Sequence, residues 1–481
     1  MHISSLPSPY GIGTMGKDAY NFIDFLESAG QRMWQVLPIG HTSYGDSPYQ
    51  SYSSYAGNPY FIDLDILVKE GLLDKADLKG IPREIDTEKV DYGMLYNTRY
   101  FLLYKAAKKL GENLPADYYT FLDENRYWIE DYAAFMALKE QMKQLGRSSW
   151  PVELRVKSKS VELVADDETV RIYKIIQYMF YRQWFALKEY ANNKGIEIIG
   201  DLPIYCACDS SDVWADSEVF VLDENYLPHL ISGCPPDGFS PDGQRWGNPL
   251  YNWDVLEERG FDWWVKRLKH ALGVFDIVRI DHFRGFDSFF AIDSREDTAV
   301  NGKWLEGPKM KLFEAFEKEI GENLPIIAED LGFLTESVKK LLSDTGYPGM
   351  KVIQFAFDER ETGDYLPHNY TKNSVCYVGT HDNDTATGWF EKVSEADREK
   401  AERYFNLNED EGIAYGLIRG ALSSVSDMAV ICMQDYLALG SEARMNTPSR
   451  MGGNWQWRVK KEALTSKLAE EIKTMTRLYG R

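Results

Sequence analysis

Residues 276–281 read Asp-Ile-Val-Arg-Ile-Asp, and two stretches of the same kind follow: Pro-Ile-Ile-Ala-Glu-Asp at 325–330 and Ser-Val-Cys-Tyr-Val-Gly-Thr-His-Asp at 374–382. Each is a short apolar run ending in acid, at Asp281, Glu329 and Asp382. Continuous apolar runs, as opposed to alternating ones, predict strands buried on both faces, as in a parallel sheet. Carboxylates beside such segments cost free energy unless something pairs with them or uses them. Working outward, MHISS (1–5), MWQVLPI (33–39), IEIIGDLPI (196–204), MKVIQFAF (350–357) and MAVICMQD (428–435) bring the number of such runs to eight. Amphipathic stretches lie between them, such as 18–30 closed by Gly30 and 309–321 closed by Gly321. Eight strands alternating with helices predict an α/β fold, a (β/α)8 TIM barrel.

Two spacings are too long for simple βα units. Helical patterns at 97–111, 127–142 and 169–195 predict a mostly helical subdomain inserted over 61–195. The barrel then comprises 1–60 and 196–481, with a long loop region at 205–275, rich in Pro, Gly and Asp, of the kind that usually carries function. Gly11, Gly13 and Gly16 match GxGxxG, but prolines at 7 and 9 separate them from any preceding strand, so they read as a turn into a helix.

Hydrophobic residues at 44% of 481 support a substantial core, and the net charge of −21 opposes nucleic-acid binding. The five cysteines include no CxxC pair and read as reduced thiols. With no leader pattern and no run of 18 apolar residues, the expectation is a cytoplasmic chain with no membrane segment.

Strand alternation puts Arg279 and Asp281 on one side of their strand, where a cation favours an ionised carboxylate. A purely structural Arg–Asp pair reads equally well from these residues. Glu329 ends so apolar a run that desolvation would keep it protonated, while Asp330 points the other way and makes hydrogen bonds. His282 and His381 adjoin two of the acids and suit sugar hydroxyls or a carboxylate. The same residues could ligate Mg²⁺, although Arg279 would repel a cation and no HExxH-like pair exists. The expectation is therefore no metal and no cofactor. Tyr and Trp cluster with Gly, Pro and Ser at 47–60 and 242–253, where flat rings can stack on sugars.

In these motifs, and in SLPSPYGIG, SPYQ, YAGNPY, GDLPIY, PPD, GQRWGNPLY and RMNTP…GNWQWR, the chain resembles the amylomaltases, the 4-α-glucanotransferases of glycoside hydrolase family 77. The resemblance implies transfer of α-1,4-glucan segments between maltooligosaccharides. By motif, Asp281 resembles the family's nucleophile, Glu329 its general acid/base and Asp382 its third carboxylate. Ser47, Tyr49, Asp201, Asp237, Gln244, Trp246, Arg279, His282, Asp330, Asp358, His381 and Asn454 resemble substrate contacts. The competing expectations are an α-glucan hydrolase with the same acids and a catalytically silent glucan-binding barrel.

Overall fold

The computed structural model describes residues 1–43, 45–81, 88–164, 167–236, 240–332, 334–358, 363–450 and 452–481. Seven of the apolar runs form strands: β1 (Met33–Gln35), β2 (Glu197–Leu202), β3 (Ile277–Ile280), β4 (Ile326–Ala328), β5 (Gly349–Val352), β6 (Ser374–Tyr377) and β7 (Met428–Val430). They pair in parallel, in that order, as a nearly closed barrel. One face of each strand packs inward in a cluster of Ile199, Ile327, Met350, Val352, Val375 and Tyr377. The other face joins the large core through residues such as Ile198, Val278, Ile326 and Cys376. Burial on both faces accounts for the continuous apolar pattern.

The run MHISS departs from expectation. Ile3–Ser5 is a 3₁₀ turn, because Leu6 donates back to Ile3 and prolines 7 and 9 have no N–H for a ladder. This segment lies against β1 and the residues that follow it: the Leu37 N–H donates to His2 Nδ1 (3.2 Å) and Trp34 Nε1 donates to the Met1 carbonyl (2.7 Å).

The GxGxxG stretch leads into the helix Lys17–Ser28, and Gly30 and Gly321 take the left-handed conformations that end their helices. Between β1 and β2 lie three long helices, α1 (Tyr92–Gly111), α2 (Arg126–Gln141) and α3 (Glu168–Asn193). Asp91 caps the first by accepting the Met94 N–H, and Asp167 the third by accepting that of Thr169. The connection after β2 is more ordered than its composition suggests. Four strands form a second, antiparallel sheet in the order Gln244–Pro249, Leu230–Cys234, Ser288–Asp293, Lys303–Glu306, and the first of them reaches the cleft through Gln244 and Trp246. All five cysteines are free thiols. No described helix is long and apolar enough to cross a membrane.

Candidate active site

Strand register assembles the acids. Ile280 pairs with Ala328, so the next residues, Asp281 and Glu329, leave adjacent strand ends side by side. The ladder continues one step, with Glu329 N–H donating to the Ile280 carbonyl (3.0 Å) and Phe283 N–H to that of Glu329 (2.9 Å). His282 then adopts a left-handed backbone at φ 51°, uncommon for a residue with a side chain. This turn aims its peptide N–H at Glu329 Oε2 (2.7 Å), while Leu331 N–H donates to Oε1 (2.8 Å). Glu329 is thus gripped by main chain on both oxygens.

The neighbouring register, Asp201 against Arg279, builds the charge pair beneath. Arg279 Nη1 donates to both Asp201 oxygens at 2.7 Å and to Asp281 Oδ1 at 3.1 Å. Burial alone would lower the guanidinium pKa, but the facing Asp201 and Asp281 carboxylates outweigh it and hold the group charged. Asp201 also accepts from Tyr49 Oη (2.8 Å), whose oxygen lies 3.0 Å from His381 Nε2. The Tyr49 and His381 rings stack at 5.3 Å. Burial depresses the His381 pKa, so the ring is neutral and donates its Nε2–H to Tyr49.

Burial also raises the pKa of Asp281 and of Glu329, against the opposing field of Arg279 in each case. The two N–H donors on Glu329 work in the same direction as Arg279. Asp281 keeps 26% of its side-chain surface open to the cleft. Asp382 is about half exposed, and Asn446 Nδ2 donates to its Oδ1 at 2.6 Å. Arg444 donates to the Asp382 carbonyl (2.6 Å) and Asn446 N–H to that of His381 (3.0 Å). Among the described residues no cluster of His, Cys, Asp and Glu is arranged to hold a metal ion.

All three acids line one cleft of about 2230 Å³, above the 300–1,000 Å³ usual for small-molecule pockets and suited to an extended ligand. Ser47, Tyr49, Gln244, Trp246, Arg279, His282, Asp358, His381 and Asn454 line it too. Trp246 stands edge-on to the His282 ring at 4.9 Å and donates to Gln244 Oε1 (3.1 Å). His282 Nε2 is buried without a hydrogen-bond partner among the described residues. Ser47 Oγ accepts the Tyr49 N–H (3.3 Å), and Asn454 spends its amide on Thr447 and Arg450 within its own loop.

Two residues expected as contacts, Asp201 and Asp330, are not among those that line the cleft. The Asp201 side chain has no exposed surface, and its hydrogen-bond partners among the described residues are Arg279 and Tyr49. Asp330 is buried and accepts the Met350 N–H (2.6 Å), tying β4 to β5. Asp237 lies outside the described residues. Asn446 was not singled out from the sequence, although the Arg-Met-Asn-Thr-Pro motif that carries it was legible.

Residues 1–465 match the family model for 4-alpha-glucanotransferase. The chain is 51% identical to the 4-alpha-glucanotransferase of Clostridium butyricum, with the whole of both chains aligned. It is 44% identical to that of Thermus thermophilus over 99% of this chain and 97% of the other. Among solved structures it is similar to the amylomaltase from Streptococcus agalactiae in complex with acarbose, with a TM-score of 0.96, 43% identity, and coverage of 100% of this chain and 98% of that one. A match of this extent, on a barrel whose strand ends gather these acids, means that the chain belongs to the 4-alpha-glucanotransferase family, glycoside hydrolase family 77.

Proposed function

We propose that this 4-α-glucanotransferase moves α-1,4-glucan segments by retaining double displacement, with Asp281 as nucleophile and Glu329 as acid and then base. Glu329 protonates the departing glycosidic oxygen while Asp281 attacks the anomeric carbon, giving a glycosyl ester and a free glucan. An incoming 4-hydroxyl then attacks that carbon, losing its proton to Glu329 and releasing Asp281; two inversions give net retention. The scheme requires the carboxyls about 5–5.5 Å apart.

One observation carries the assignment: the peptide N–H of the residue after Asp281 donates to the Glu329 carboxylate at 2.7 Å, which ties the two acids to a common frame. Two interacting carboxyls titrate as a pair. The 3.1 Å contact with Arg279 and the exposure of Asp281 to the cleft favour its ionised form, while burial, opposed by Arg279 and two N–H donors, favours the proton that the acid step needs on Glu329. Asp382, held by Asn446, grips ring hydroxyls as the sugar distorts. Tyr49 and Trp246 supply stacking faces that favour a bound acceptor over water. The free thiols suit a reducing, cytoplasmic compartment. Residues 61–195 act as an inserted helical subdomain that walls one side of the cleft.

Incubation with maltotriose tests the activity. Transfer yields glucose plus a ladder of longer oligomers, and products that are only shorter than the donor would indicate a hydrolase. A glycosyl adduct trapped on an Asp281→Asn variant would remove Asp281 from the nucleophile's role.

A further inference from the structure

The loop after β6 carries two acids with opposite surroundings. Asp382 lines the cleft, whereas the Asp384 side chain is only 7% exposed and turns toward residues 441–444. Its Oδ2 accepts from Lys392 Nζ and Ser441 Oγ, each at 2.7 Å. Its carbonyl accepts from Gln354 Nε2 at 2.9 Å, and the helix Ala386–Lys392 starts just beyond it. This end of the loop is held on every side.

Asp382 has no such support. Its hydrogen-bond donor among the described residues is Asn446 Nδ2 (2.6 Å), and His381 Nε2, already bonded to Tyr49, lies 3.5 Å away. Asn446 comes from a stretch, 444–447, that belongs to no helix or strand. Side chains from two irregular segments meet at such a distance only when the two backbones are held in register.

Arg444 supplies that register. Its Nη2 donates to the Asp382 carbonyl (2.6 Å) and its Nε to the Asn446 carbonyl (2.7 Å). One guanidinium thus holds the main chain of the same two residues whose side chains meet. Its donors form a rigid planar fork, so they fix the two carbonyls relative to each other, which an ammonium on a flexible stem does not. Nη1 lies 4.0 Å from Asp384 Oδ2, so the cation also faces the anchored end of the loop. Arg444 itself is not among the residues that line the cleft.

We propose that Arg444 is a positioning residue for glucan transfer, whose two main-chain hydrogen bonds set the Asp382–Asn446 pair so that the Asp382 carboxylate meets the sugar as it distorts. The proposal rests on the role given to Asp382 above, and Asp382→Ala tests that role by itself. A wild-type rate in Asp382→Ala overturns both readings; a lost rate there beside wild-type Arg444 variants overturns this one alone.

Initial transfer rates on maltotriose, with Tm recorded for each variant, read the effect. Arg444→Met removes both donors and lowers kcat about tenfold while KM stays within about twofold, as for a contact made only in the transition state. A lower Tm with unchanged kcat would make Arg444 a staple for stability and overturn the proposal. Arg444→Lys keeps a cation facing Asp384 but not the fork, so Tm recovers while kcat stays low; full kcat with Lys overturns the proposal. Added to Asn446→Ala, Arg444→Lys costs less than about threefold further, because both act on one carboxylate, and losses that simply multiply refute the link. Should Arg444→Met fail to fold, Arg444→Lys and this double variant carry the test.

Discussion

Asp201→Asn separates a positioning pair from a substrate contact. Arg279 makes its two 2.7 Å bonds to Asp201 and a longer one, 3.1 Å, to Asp281, and the Arg279 and Asp201 side chains are 4% and 0% exposed. Asparagine keeps the shape but offers one acceptor and turns an amide toward the guanidinium. Breaking one side of a buried pair costs about 3–5 kcal/mol. For a chain of this size that corresponds to a fall in Tm on the order of 5 °C. Arg279 then leans on Asp281 alone, which makes that carboxylate less basic and slows its attack; one pKa unit corresponds to about 1.4 kcal/mol, or tenfold in rate. Calorimetry and initial transfer rates on maltotriose read both effects. Tyr49→Phe is the control, because it leaves the Arg279–Asp201 pair and removes the 2.8 Å hydroxyl bond to Asp201 and the 3.0 Å bond from His381, at about 1 kcal/mol each. If Asp201→Asn destabilises no more than Tyr49→Phe, the carboxylate does not hold Arg279 as described.

Asn446→Ala removes the 2.6 Å bond to Asp382 and lowers kcat/KM about tenfold, with the fold intact by circular dichroism; wild-type kinetics would show that Asp382 needs no such support. Asp435 is buried, which pushes its carboxyl up to about 7, and its Oδ1 accepts the Ala386 N–H at 2.7 Å. Because the folded pKa exceeds the unfolded one, its contribution is full below about pH 4 and is lost as pH rises toward 7, by at most about 4 kcal/mol. Asp435→Asn keeps the acceptor, so urea titrations should show its advantage over wild type widening between pH 5 and pH 8; parallel curves would refute the assignment.

The barrel was legible because its strands are buried on both faces, a condition that leaves continuous apolar runs at DIVRID and PIIAED. MHISS misled because apolar content outweighed the nearby prolines, which favour a local turn. The second sheet was hidden since its pairing depends on close approach: a Cβ on Gly233 would lie 2.2 Å from the Gln244 carbonyl oxygen. Acids at strand ends announced the site, but alternation cannot say what a neighbouring strand presents. Asp201 therefore read as a contact, while the structure turns it beneath Arg279. Asn446 reaches Asp382 from a loop 64 residues further along the chain, a proximity created only by tertiary folding.

The bond from the His282 amide to Glu329 belongs to the main chain, so an alanine scan is blind to it. A side chain that tolerates positive φ, such as Asn or Asp, would leave that donor in place. Such a change at this position can thus replace the cleft-lining ring without removing the donor to the acid. Only a change in the backbone itself, an ester in place of the amide or a proline that cannot adopt positive φ, would sever the link.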